Sequence, residues 1–231
     1  MTVSLTALKQ SLHAGLTAVA QGADPALIYH PNAQFWASHP FNQVQGLEAI
    51  RHVWSQLRHA MPDIQRRDQI FVAGNSKADA RMPDDLEGRV LVASMGHYQG
   101  SFLNDLCGIP ATHGVVNLRV CEVHHLVECK IAQSYVMLDL LDLMGQAGCW
   151  PIAPSLGAEG MWSGPATNDG VRLHTSDPSG GQMAFDTVIA MHNALGSFDG
   201  KSLDSMQHGA YWADNFVWYG PSGIGQTRGM T

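Results

Sequence analysis

"KIAQSYVMLDLLDLMGQAG" (130–148) begins with the spacing of a strand and ends with that of a helix. Counted by twos from Ile131, Gln133, Tyr135, Met137 and Asp139 share one face, while Ala132, Ser134, Val136 and Leu138 take the other. A face of Gln, Tyr, Met and Asp suits a pocket lining; one of Ala, Ser, Val and Leu suits packing. The two aspartates therefore differ. Asp139 ends the strand on the expected pocket face, although an Asp just before a helical run is also a common N-cap. Asp142 falls in the first helical turn, where an exposed carboxylate complements the helix dipole.

Outward from this stretch, three strand-like runs precede it, over 64–73, 88–101 and 115–128, separated by Gly/Pro/Asn/Asp clusters. Before them come an amphipathic helix over 5–21 (Leu5, Leu8, Leu12, Leu16, Val19), a short helix over 25–31 and a brief strand at Phe35-Trp36. A second amphipathic helix spans 46–60 and is stopped by Pro62. Helices first and strands afterwards predict an α+β fold: a curved, mostly antiparallel sheet wrapped over N-terminal helices as a cone. Residues 1–148 make one such module.

Residues 149–181 have the Gly/Pro/Ser composition of a linker, with Trp150, Met161 and Trp162 as points that pack on something. Residues 182–231 restart the pattern. Tyr211 and Trp218 repeat the spacing of Tyr29 and Trp36, and Pro221 and Gly229 echo Pro40 and Gly46. The expectation is an incomplete second copy that packs on the first module or on another chain.

The formal net charge is −7 with only 13 Lys+Arg, and no basic run exceeds Arg66-Arg67, which argues against a nucleic-acid partner. No apolar stretch is long enough to span a membrane. The N-terminal run reads as helix rather than leader, so a cytoplasmic location is the default expectation. Cys107, Cys121, Cys129 and Cys149 show no C-x-x-C and read as free thiols. Twelve histidines include no H-E-x-x-H, and His124-His125 would point to opposite faces of a strand, so no metal site is expected.

Two stretches and the restart after 182 carry a family resemblance. "GHYQGSFLNDLCGIPATHG" (96–114) is similar to a segment ending G-I-P-P-T-G, with Gly108, Ile109, Pro110 and Thr112 in place; 130–148 is similar to K-I-x-E-x-W-x-x-x-D … Q-L-G. Residues 5–148 thus resemble the SnoaL-like polyketide cyclases of the NTF2-like superfamily. Gln133, Tyr135, Ala111 and Ala147 stand where the family has Glu, Trp, Pro and Leu, and Glu128-Cys129 replace its usual turn glycine.

The resemblance implies Asp139 on the concave side as general acid/base in an intramolecular aldol ring closure, without metal or organic cofactor. The substrate would be a polyketide-like, apolar carbonyl compound, and a homodimer or intramolecular pseudo-dimer is implied as well. Such chemistry needs a carboxyl whose proton affinity is raised by burial and a donor for the developing enolate oxygen. His125 is the expected partner of Asp139; Trp36, His97, Tyr98, Gln133, Tyr135 and Met137 are the expected substrate-binding residues. A structural histidine at 125 and helix-layer packing by Trp36 are the plainer alternatives. The other functional readings are an NTF2-like isomerase, dehydratase or hydrolase, or a non-catalytic small-molecule-binding or dimerisation module.

Overall fold

A computed structural model of the chain describes residues 4–77, 87–160, 162–175 and 179–229. Helix α1 (Leu5–Ala20) is capped by Ser4, whose hydroxyl accepts the Ala7 N–H, and it buries Leu8, Leu12, Leu16 and Val19. The helical period puts those four on one stripe. Helix α2 (Leu47–Ala60) does the same with Ile50, Val53, Trp54 and Leu57, and stops at Met61, one residue before Pro62. Fully burying an aliphatic or aromatic side chain of this kind contributes roughly 1.5–3 kcal/mol.

Strands β1 (Tyr29–Ala37), β2 (Gln43–Gln45), β3 (Gln65–Asn75), β4 (Val90–Ser101), β5 (Val115–Val127) and β6 (Lys130–Leu138) form one sheet in the order β2-β1-β6-β5-β4-β3. Every pairing is antiparallel except β1 with β6. The fold is α+β, with α1 and α2 on one face of the sheet. His13 of α1 meets Phe71 of β3, and Trp54 of α2 meets Tyr98 of β4, both edge-on. The helix expected over 25–31 is a single 3-10 turn, Pro25–Leu27. The Ile28 carbonyl accepts the Ile131 N–H, and this pairing with β6 draws Tyr29 onward into a nine-residue strand.

One irregularity sets which way the β6 side chains point. Leu126 pairs with Ile131 but His125 with Gln133, so β6 carries one extra residue there. Ile131 faces the helices and is fully buried, and beyond the bulge Ser134, Val136 and Leu138 face them too. Counting by twos from Ile131 therefore inverts the remainder of the strand, as a one-residue slip must. Gln133, Tyr135 and Met137 lie on the outward face, with Tyr135 and Met137 more than half exposed. This corrects the expected concave placement.

Helix α3 (Leu140–Gln146) follows β6 directly, with the Asp139 carboxylate accepting the Asp142 N–H as its cap. The Gly/Pro-rich stretch then runs along the molecule. Phe71 N–H donates to the Gly170 carbonyl and Arg172 N–H to the Phe71 carbonyl, which covers part of the β3 edge. Beyond it, α4 (Ser179–Leu195) is largely exposed and meets the short turns at Leu203–Met206 and His208–Ala210. Strands β7 (Val217–Trp218) and β8 (Thr227–Arg228) pair with each other as a separate two-stranded sheet, so Trp218 sits in a two-residue strand where Trp36 sits in one of nine.

The C-terminal loop pairs with the Gly/Pro-rich stretch at a close backbone approach through glycine. Gly157 and Ala158 donate backbone hydrogen bonds to Ile224 and Gln226, and Gln226 returns one to Ala158. A Cβ on Gly157 would lie 2.4 Å from the Gln226 carbonyl oxygen, so no other residue fits that approach without movement. The four cysteines are free thiols. Among the described residues no helix is long and apolar enough to cross a membrane, and no group of His, Cys, Asp or Glu is placed to hold a metal ion.

Candidate active site at the end of the outer sheet face

Two buried arginines organise the polar side chains on opposite faces of the sheet. Inside the cone, Arg66 of β3 is ion-paired to Glu122 of β5 at 2.5 Å and to Asp68 at 2.8 Å, and its Nη2 donates to Ser94 Oγ at 2.7 Å. Tyr98 and Ser94 both donate to Glu122. His124 stands 3.5 Å from Glu122 and bonds Ser134 through Nδ1, while His13 of α1 reaches Asp68 at 3.2 Å. Burial alone would raise the Glu122 carboxyl, but Arg66, His124 and Tyr98 outweigh it and hold it far below the usual range. This network fills the cone between sheet and helices with the protein's own side chains. Tyr98, expected as a substrate contact, belongs here and is fully buried.

The other expected residues all lie on the outward face. Register places Tyr135 between Trp36 and Val123, Gln133 beside His125, Met137 beside Cys121, and His97 beside Arg119. Trp36 and Tyr135 stack with ring centres 4.7 Å apart and planes 5° apart. With Cys121, Val123 and Met137 they line an open cleft of about 390 Å³. His125 shares this face, but its pairing with Gln133 puts it roughly 20 Å along the strand from Asp139 at the usual rise per residue. The structure does not bring the two together. Burial and the nearby Arg89 lower the proton affinity of His125.

At the Asp139 end the face is closed by chain from much later in the sequence. Arg119 of β5, fully buried, lies opposite Asp139, whose N–H donates to the Arg119 carbonyl. Three carboxylates surround its guanidinium: Glu159 at 2.8 Å, Asp142 at 3.2 Å and Asp139 at 3.4 Å. Ser222 accepts from Arg119 Nη2 through its hydroxyl and donates its backbone N–H to Asp139 at 3.0 Å. Trp162, 4% exposed, lies over the guanidinium at 5.2 Å and against the ring of His97, whose Nε2 accepts the Trp162 backbone N–H. That cover strips His97 of water and, with the Arg119 charge, brings its pKa down to about 4, so it is a neutral acceptor at neutral pH.

Asp142 is not the solvated charge its helical position suggested. It is buried, and desolvation together with Asp139 and Glu159 outweighs Arg119 and the Gln146 hydrogen bond, pushing its pKa up to about 6. It lines a cleft of about 400 Å³ with Gly145, Gln146, Trp150, Glu159 and Gly160. A carboxyl that exchanges its proton near neutrality beside an aromatic wall is equipped for general acid/base work. Asp139 combines both readings the sequence left open: it caps α3 and it belongs to the carboxylate group on Arg119. Arg119, Glu159 and Ser222 were not singled out in the sequence. An Arg in the middle of a strand-like run was the one available signal, and its partners lie 40 and 103 residues further on.

The class defined by this geometry is a curved mixed sheet packed on N-terminal helices, with an acidic site at the end of its last long strand. No protein-family model and no curated protein matches the sequence. Solved structures do. A protein provisionally named as a SnoaL-like polyketide cyclase, from Jannaschia sp. CCS1, is 16% identical, with 66% of this chain and 99% of that one covered and a TM-score of 0.45. IdmH from Streptomyces antibioticus, provisionally named a polyketide cyclase, is 17% identical over 61% of this chain and 98% of its own, TM-score 0.47. A protein with a ketosteroid-isomerase-like fold from Catenulispora acidiphila is 14% identical over 62% and 97%, TM-score 0.40.

Proposed function

We propose that this chain is a SnoaL-like acid/base enzyme acting on an apolar carbonyl compound, with the carboxylates at the end of β6 as its working groups. The observation that carries this reading is Asp142, a buried carboxyl with a pKa of about 6 at the wall of a cleft shared with Trp150. In its ionised form it takes a proton from the carbon next to a carbonyl, and in its protonated form it returns one. Asp139 raises the proton affinity of Asp142 by like-charge repulsion and orients α3 by capping it. The acid/base role that the family resemblance attaches to Asp139 is thereby shared between two carboxylates. Ring closure of a polyketide-like substrate, without an organic cofactor, is the reaction this reading favours.

The test is turnover of aromatic β-dicarbonyl compounds by Asp142→Asn and Asp139→Asn. General acid/base contributions of this kind are worth about 10²–10⁴-fold, and the limb of the kcat–pH profile near pH 6 disappears with Asp142→Asn. Unchanged turnover in both variants overturns the proposal. One observation favours the non-catalytic binding module instead: the charged groups inside the cone are engaged with one another and not free for acid/base work. Ligand binding by the wild-type chain with no turnover of any carbonyl compound would select that reading.

A further inference from the structure

The Glu159 carboxylate is held the way a receptor holds a ligand. Its Oε2 accepts from Arg119 Nη2 at 2.8 Å and from Ser222 Oγ at 3.2 Å. Its Oε1 accepts the Gly223 backbone N–H at 2.9 Å and the Ser155 hydroxyl. Arg119 is fully buried and Ser222 nearly so, so these donors are fixed before any carboxylate arrives. The Glu159 side chain itself is 31% exposed and forms part of the wall of the Asp142–Trp150 cleft. A second observation points the same way. Among the described residues Arg119 Nη1 has no acceptor, and Nε has none in hydrogen-bond geometry, although both are buried. Buried donors left unpaired are costly, and an arginine fork is built for two parallel bonds to one carboxylate.

We infer that Arg119, Ser222 and Gly223 form a carboxylate-binding site, occupied here by the chain's own Glu159, which a ligand carrying a carboxylate on an apolar body displaces. Exchange of one carboxylate for another keeps the same number of carboxylates bonded to Arg119, and the displaced Glu159 carboxylate, already 31% exposed, is taken up by water. The ligand carboxylate gains the donors Glu159 gives up and is free to engage Nη1. Its apolar body lies along Trp150 in the neighbouring cleft. Where the acid/base reading above holds, this deepens it: the substrate class becomes apolar carbonyl compounds bearing a carboxylate, oriented by Arg119 beside Asp142. The site itself stands without that reading, because its evidence is the donor set.

The probe is benzoate, with benzamide as its uncharged counterpart, measured on the full chain by titration calorimetry and by tryptophan fluorescence. Glu159→Gln keeps the shape of the plug without its charge and serves beside Glu159→Ala, so a folding failure of one leaves the other. The expected result is benzoate binding at least tenfold tighter to either variant than to wild type, with benzamide unaffected. Adding Ser222→Ala to Glu159→Gln weakens benzoate again by about fivefold. Equal benzoate binding by wild type and both variants overturns the inference, and so does equal gain for benzoate and benzamide. Loss of turnover in Asp142→Asn with this binding pattern absent would leave the acid/base proposal standing and remove only the carboxylate site.

Discussion

Arg66 and Arg119 are both buried arginines on the same sheet, and they differ in how completely they are matched. Arg66, inside the cone, has a partner on each nitrogen: Asp68, Ser94, Tyr98 and Glu122. Its partners come from its own strand and from β4 and β5, and Ser94 and Tyr98 are themselves bonded to Glu122. Arg119, outside, collects carboxylates from the residue after β6, from α3 and from residue 159, has no hydrogen-bond acceptor for Nε or Nη1 among the described residues, and adjoins an open cleft. A satisfied charge network rigidifies a core, whereas an over-supplied, under-bonded one leaves something for a ligand to complete. The difference teaches that burial alone does not mark a functional charge. The unmatched donors and the surplus of like charge do.

The contrast breaks first at Glu122. Glu122→Gln leaves Arg66 buried with part of its countercharge gone, and removing one partner of a buried pair costs about 3–5 kcal/mol; urea unfolding measures it. The same carboxyl gives the core its acid sensitivity. Because its folded pKa lies below the unfolded value, its contribution is present above the unfolded carboxylate range and is lost as pH falls below it. An unfolding free energy changed by less than 1 kcal/mol would remove the core role assigned to Arg66.

Asp142 has the opposite sign. Its folded pKa of about 6 lies above the unfolded value near 3.8, so the folded state holds its proton longer and stability falls as pH rises between those values. A shift of this size corresponds to about 2–3 kcal/mol. In Asp142→Asn the decline between about pH 4 and 6 flattens, which thermal unfolding across pH detects; an unaltered decline contradicts the assignment. Trp162→Ala is a smaller test. It uncovers His97, whose pKa climbs from about 4 toward the ordinary imidazole value, and NMR titration of the ring reads it. The least effect is expected on the open part of the outer face, where Tyr135→Ser changes stability by no more than about 0.5 kcal/mol, since the ring is half exposed and only stacked on Trp36. A large loss there would mean that this face carries structure.

Strands β3 to β6, helices α1 and α2 and the α+β order were legible because their periods of two and 3.6 are written in consecutive residues. So was the divergence of His124 and His125 to opposite faces. What failed was the hand of β6. Both of its faces carry apolar residues, and the extra residue opposite His125 and Leu126 is a pairing event that one strand read alone does not display. The residues expected to line a pocket consequently lie, apart from Tyr98, on the outer face of the sheet and not on the inner one. The partners that Arg119 draws from beyond residue 148 were hidden for another reason. Glu159 and Ser222 come from Gly-rich segments with no periodicity, and only the backbone approach of 157–158 to 224–226 puts them beside β5.

That backbone pairing also sets a timescale. Gly157 and Ala158 stay hydrogen-bonded to 224 and 226 whichever way the Glu159 side chain points. Vacating Arg119 thus requires rotation about side-chain bonds and no opening of a loop. Rotamer changes of partly exposed side chains take picoseconds to nanoseconds, against microseconds or longer for collective loop and domain movements. Access to the guanidinium therefore depends on releasing the hydrogen bonds that hold Glu159 and not on opening a loop.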